Sequence, residues 1–215
     1  PVVTGYQRAR EQVVEATGEL SGEVRFGMIA TIAQGVLVDA ILEFSSAHPK
    51  VELSMTDGFS GDLIDAVALG QLDAAVINKP RRALTLKSET IADEDLLLVM
   101  GPAHADVPAS LRFSGMSALK LVFPTRRHGL RGIIENFAEA EDIHLSPSLE
   151  IDSISAILKL VRESDFCTLL PHVAVRGLLE RAEVKVHRFV SPRLRRTIVA
   201  VTDPSRPLNP AAAAF

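Results

Sequence analysis

The sequence predicts an α/β protein of two Rossmann-like lobes joined by two crossing strands, and three patterns carry that expectation. A strand, helix, strand, helix, strand order runs through residues 24–77. The same order recurs with unrelated residues over 121–169. Two apolar strands, 95–100 and 197–201, stand where a chain leaving one lobe and returning to it would cross. Strands that alternate with helices in this way point to parallel sheets covered by helices on both faces.

The first lobe is justified element by element. A lead-in helix is expected over 6–17, then a strand over 24–29. The helix 32–47 follows from Ile32, Val36, Leu37, Ala40, Ile41 and Phe44, which fall on one face at helical spacing. His48-Pro49 ends it, because the residue before proline is pushed out of the α region. Val51, Leu53 and Met55 alternate as in a half-buried strand. The run DGFSGDLIDAVALGQLDAAVI, residues 57–77, is the densest in signals. Ser60 occupies an N-cap place ahead of a helix over 61–69 built on Leu63, Ile64 and Val67. Gly70 supplies a left-handed stop, and the strand 74–77 is apolar on both faces.

The second lobe repeats the plan: strand 121–123, helix 129–140, strand 149–151, helix 153–162 and strand 166–169. Leu130, Ile133, Ile134, Phe137 and Ala138 mark one helical face, as do Ile154, Ile157, Leu158 and Val161. The alanine-rich end, 207–215, is either a short helix returning to the first lobe or a terminal remnant.

Composition narrows the functional classes. With 47% apolar residues the 215-residue chain can bury a core, and no run of about 18 uninterrupted apolar residues or secretion signal is found. A net charge of -4 and a pI near 5.9 argue against these residues gripping a phosphate backbone themselves. The single cysteine, Cys167, lies in an apolar strand, so it forms no internal disulfide and reads as a core residue. His48, His104, His144, His172 and His187 share no metal-ligand spacing and read as surface or turn residues. No nucleophile elbow, phosphate-cradling loop or dinucleotide fingerprint occurs, so neither catalysis, nor a metal, nor a cofactor is expected.

The order of Gly58, Ser60, Leu63, Gly70, Leu72 and Asp73 before the strand 74–77 resembles the effector-binding domain of LysR-type transcriptional regulators. Gly22-x-Val24-Arg25-x-Gly27, the segment 44–49 with Val51, Glu150-Ile151-Asp152-Ser153 and the loop PTRRHGLR at 124–131 extend the resemblance over about 22–202. It implies a fold like that of type 2 periplasmic binding proteins, with residues 1–21 the remnant of a linker helix. Lobe I is then 22–98 with 202–215, and lobe II is 99–201. It further implies a cytoplasmic bacterial sensor that binds a small effector between its lobes and signals to a winged helix-turn-helix domain outside this chain. Through that domain the whole protein would bind DNA as a dimer or tetramer. The family's helices corresponding to 32–47 and 129–140 pair between subunits, so a homo-oligomer is expected. A solute-binding protein of a transporter, with an extracytoplasmic address, is the alternative, and a two-lobed enzyme comes third.

The candidate effector residues are Thr31, Ser60, Asn78, Thr125, Arg126, His128 and Ser153. Thr31, Ser60, the segment 125–128 and Ser153 stand at helix N-termini, where free amides and the helix dipole favour a carboxylate or inorganic anion. Arg126 adds a guanidinium able to take a carboxylate bidentately. Asn78 follows a strand end, and His128 borders the same loop, where a solvent-facing helix start is the simpler role for it. For Thr31 and Ser153 plain N-capping is the simpler role residue by residue.

Overall fold

The computed structural model describes residues 19–108, 111–189 and 191–215, so the expected lead-in helix lies outside the described residues. Its contacts divide the chain into two units. The described part of unit 1 comprises 19–29, 36–89 and 199–215, and unit 2 comprises 30–35 and 90–198. Each has its own hydrophobic core.

In unit 1, β1 (Ser21–Ile29) lies between β2 (Lys50–Gly58) and β3 (Ala74–Asn78), parallel to both, with Val24 opposite Leu53 and Phe26 opposite Ala74. The connections are α1 (Ala30–Ala47) and α2 (Ser60–Ala68). Helix α1 stops at Ala47, with His48 already at φ -132°, as the following proline requires. Gly70 adopts φ +73°, the left-handed conformation that glycine tolerates without a Cβ clash. The chain end is indeed a helix of this unit, α6 (Pro210–Ala214). Asn209 caps it by accepting the Ala212 amide at 2.7 Å, and Phe215 packs edge-on against Phe26 and Phe44 with ring centroids 5.0 Å apart. Arg206 donates to the carbonyls of Val67 and Ala68 in the last turn of α2.

In unit 2, β4 (Lys87–Met100) runs between β7 (Cys167–Pro171), antiparallel to it with Leu98 opposite Leu169, and β9 (Arg195–Thr202). A short strand, β8 (Lys185–His187), pairs with the last residues of β4. The parallel pair β5 (Val122–Phe123) and β6 (Leu149–Glu150) joins β7 through the bridge Leu121 to Cys167. Around these strands lie a 3-10 turn (Phe113–Ala118) and helices α3 (Gly129–Ala140), α4 (Ile154–Glu163) and α5 (His172–Glu180). The core holds Leu98, Phe113, Met116, Phe123, Leu130, Ile134, Ile157, Leu169 and Phe189, all at most 1% exposed.

Departures from the expected elements have local causes. Strand β4 begins at Lys87 rather than at residue 95, and its first half is exposed and polar, so hydrophobic alternation could not mark it. Helix α5 and strand β8 were not anticipated. Helix α5 follows β7 without a loop, has no capping side chain and carries Gly177 inside it. By contacts the chain passes between the units after residues 89 and 198, and residues 30–35 group with unit 2. The start of α1 explains the last point: a Cβ on Gly35, in its second turn, would lie 2.3 Å from the Val173 carbonyl oxygen, so this part of the helix sits directly on α5.

Candidate functional site

Arg196 is the organising residue of unit 2. It points inward from β9, with a fully buried side chain, and only an ion pair and good hydrogen bonding make such a charge tolerable. Glu94 of β4 supplies the pair, its Oε2 accepting Nε at 2.8 Å and lying 2.6 Å from Nη2. The guanidinium Nη1 donates to Thr31 Oγ1 at 2.8 Å. Burial lowers the Arg196 pKa, and the charge and hydrogen bond of Glu94 oppose that shift.

Thr31 itself is fully buried in the first turn of α1. The N-cap of that helix is Ile29, which offers no side-chain cap, so Thr31 is a helix residue facing the arginine and not the cap. Across the same unit, Thr125 donates its amide (3.1 Å) and its hydroxyl (2.6 Å) to Asp152 Oδ1. The carboxylate thereby ties the loop after β5 to the loop that opens α4. Ser153 does cap α4, accepting the Ala156 amide at 3.3 Å, and shares a 2.9 Å bond with Ser155.

His128 is the N-cap of α3, and at 3% exposure it is buried, against the expected solvent-facing helix start. Its Nδ1 accepts the Leu130 amide at 3.2 Å, which places the ring proton on Nε2. Burial pushes its pKa below the ordinary 6.5, Asp152 raises it and Arg196 lowers it, so the histidine stands within electrostatic reach of both charged groups. A folded-state pKa below the unfolded value means that the unfolded chain takes the proton first. Stability is therefore expected to be constant above about pH 6.5 and to fall as the pH drops below it. In His128→Asn, whose shorter side chain can still cap α3, urea midpoints measured across pH 5–8 should lose that component; an unchanged slope would remove His128 as its source.

The remaining candidates are placed elsewhere. Arg126 is at the surface, 80% exposed, and pairs with Glu135 of α3 at 3.3 Å. The buried arginine of that loop is Arg131, which binds Glu135, Glu150 and the Pro124 carbonyl and lies 5.5 Å from the Phe123 ring. Ser60 and Asn78 belong to unit 1. Phe59 is the N-cap of α2, so Ser60 does not cap it; its Oγ is buried without a hydrogen-bond partner among the described residues. Asn78 ends β3 at 4% exposure. Arg196 and Glu94 escaped the sequence reading, although an arginine at an inward position of an otherwise apolar strand was a signal for the first.

Cys167 is fully buried, its Sγ 3.3 Å from His104 Nε2, and burial pushes the thiol up to about 11. The protonated thiol that results is a poor nucleophile. Among the described residues no three His, Cys, Asp or Glu side chains are grouped to hold a metal ion. A separate cavity of about 430 Å³ lies between α4, α5 and residues Gln34 and Gly35 of α1, with Lys159, Arg162, Arg176 and Arg181 around Leu158 and Val173.

Sequence and structure comparisons give the class of protein to which this mixed α/β architecture belongs. The model of the LysR substrate binding domain matches residues 17–215, and the chain belongs to that family. Among curated proteins it is similar to the HTH-type transcriptional regulator EstR of Acinetobacter baylyi, 24% identical over 91% of this chain and 65% of that protein. The DNA-binding transcriptional dual regulator OxyR of Escherichia coli is 26% identical over 93% of this chain and 66% of that protein. The chain thus spans about two thirds of the length of these relatives. Among solved structures, the reduced regulatory domain of OxyR2 from Vibrio vulnificus superposes with a TM-score of 0.77 at 19% identity, over 91% of this chain and 93% of that one. The effector-binding domain of QuiR in complex with shikimate gives 0.77 at 18% identity, over 91% and 94%. The two-lobed fold resembling periplasmic binding proteins is the one these regulatory domains share.

Proposed function

We propose that this chain is the sensing part of a cytoplasmic LysR-type transcriptional regulator, that it binds a small anionic metabolite, and that it has no catalytic activity. In this reading the ligand engages the Thr31–Arg196 cluster of unit 2, and the bias it places on the conformational balance passes to a DNA-binding domain outside the chain. Such couplings amount to about 1–3 kcal/mol, and a ligand exerts one only through its preference for one state. The observation that carries the proposal is the fully buried hydroxyl of Thr31, held by a buried arginine at the start of an uncapped helix. The amides of that turn and the positive end of the dipole favour an oxyanion.

Thermal-shift titration against carboxylates, sulfate, phosphate, amino acids and amines tests the reading. A ligand that binds only the folded chain raises the melting temperature with concentration. Stabilisation by carboxylates or oxyanions that is lost in Thr31→Val is the expected result, and stabilisation by amines alone overturns the anion preference.

The oligomer is proposed to form through α1. Its Val38 and Leu42 are 66% and 65% exposed, whereas the apolar residues Leu130, Ile134 and Ala138 of α3 are buried within unit 2. Pairing through one self-complementary face is the commonest homodimer arrangement. Leu42→Arg should then give a monomer by light scattering with an unchanged melting profile, and a persistent dimer mass would rule this face out.

A further inference from the structure

Helix α5 carries a glycine that its packing does not call for. A Cβ on Gly177 would touch only the end of the Arg181 side chain, at an ordinary 3.4 Å, whereas at Gly35 the Val173 carbonyl leaves no such room. Glycine inside a helix costs stability relative to alanine, so what this position contributes is the space that a side chain would fill. That space belongs to the cavity of about 430 Å³ between α4, α5 and residues Gln34 and Gly35 of α1. Its volume falls in the range of about 300–1,000 Å³ usual for small-molecule sites. Neither Thr31, Arg196 nor Glu94 lines it.

The walls are of two kinds. Leu158 and Ala174 are buried and Val173 and Leu178 half-buried, which gives an apolar floor. Around it stand cations in excess. Arg162 and Arg181 share a single carboxylate, that of Glu183, each at 2.5 Å, and this brings the C-terminal ends of α4 and α5 together at one end of the cavity. Lys159, three residues before Arg162 on the same face of α4, has no ion pair among the described residues. Arg176 reaches across to the Gly35 carbonyl at 3.4 Å. Glu163 and Glu180 also line the cavity, so with Glu183 four positive groups meet three negative ones and the balance is one positive charge.

We propose that this cavity is a second ligand site of the domain, for an amphipathic organic anion with one charged head. The head binds Lys159, and the apolar body lies over Leu158, Val173 and Leu178 in the space beside Gly177. A polyanion exceeds the surplus charge of the lining. An inorganic anion leaves the apolar floor uncovered, and a neutral or cationic amphiphile leaves Lys159 without a counter-charge. The site is independent of the effector reading above, since no residue of the Thr31 cluster takes part in it.

The test separates head from body. Octanoate, acetate, octanol and octylammonium are titrated into the isotope-labelled chain and followed by NMR. Octanoate is expected to bind about a hundredfold more tightly than acetate, because its chain buries several methylenes that acetate lacks. It should bind about tenfold more tightly than octanol, the worth of one hydrogen bond to a charged group. Octylammonium should bind more weakly than octanol. The amide signals of Gly35 and Gly177, both of which line the cavity, should move with the same midpoint.

Two substitutions address the two halves of the site. Gly177→Leu fills the space from within a helix and should abolish octanoate binding while keeping or raising the melting temperature. Lys159→Glu, at an exposed position, should remove the preference for octanoate over octanol, and Lys159→Arg should keep it. Equal affinities for octanoate and octanol, binding untouched by Gly177→Leu, or shifts that bypass Gly177 overturn the proposal. Absence of octanoate binding at millimolar concentration overturns it as well. Each of these results leaves the Thr31 reading standing, because that cluster is unaltered in every variant.

Discussion

Glu94→Ala is expected to cost about 3–5 kcal/mol of folding stability, because it strands the Arg196 charge in a place from which water is excluded. The Arg196 side chain is fully buried and its Nη2 lies 2.6 Å from the Glu94 carboxylate. Removing one partner leaves the full desolvation penalty of the other uncompensated. Replacing both with apolar residues of similar shape, as in Glu94→Leu with Arg196→Met, should be close to neutral, since the pair's mutual attraction mostly offsets its own desolvation. Urea unfolding of the single and double variants decides the matter. If the single substitution loses less than about 1 kcal/mol, the pair is effectively solvated and the site is wetter than described. The same experiment bears on Thr31, whose orientation depends on the arginine. The double variant should therefore fold normally and yet lose carboxylate binding, which separates the ion pair's role in stability from its role in function.

Phe123→Ala is expected to cost about 3–5 kcal/mol, the usual range for emptying a well-packed aromatic site. Phe123 is fully buried in the core of unit 2. The consequence reaches beyond the cavity, because Arg131 lies 5.5 Å from its ring and holds the loop after β5 by donating to the Pro124 carbonyl at 3.2 Å. That loop carries Thr125 and His128. Phe123→Leu fills most of the space and should lose clearly less, by the usual tolerance for apolar exchange. Equal losses in the two variants would mean that the site collapses around any smaller residue and that packing of the ring does not set the loop.

Much of the architecture was legible in the sequence because it rests on local chemistry. The 3.6-residue spacing of Leu130, Ile134 and Ala138 located α3 with its observed limits. The His48-Pro49 pair and Gly70 ended their helices as their backbone preferences require. The shielded, apolar β3 was readable from composition alone. What was not legible has the opposite origin. Strand β4 extends through an exposed polar stretch, where pairing with a neighbour, not a hydrophobic pattern, makes it a strand. Ser60 had the residue type of an N-cap, but Phe59 took the place, and the hydroxyl went inside.

The candidate site divides in the same way. Sequence by itself determined the family, the two-lobed plan and the helix starts at which Thr31, Thr125, His128 and Ser153 lie, since residue type and spacing suffice for those. Only the tertiary structure decided which charge is buried. Of the two arginines, Arg126 sits in the suspected loop and faces solvent beside Glu135, while Arg196, about seventy residues later in the chain, reaches Thr31. A hydrogen bond spanning 165 residues has no signature in local spacing. Its existence depends on two strands and a helix turn meeting in one unit, and on the rule that a buried charge must find its partners there.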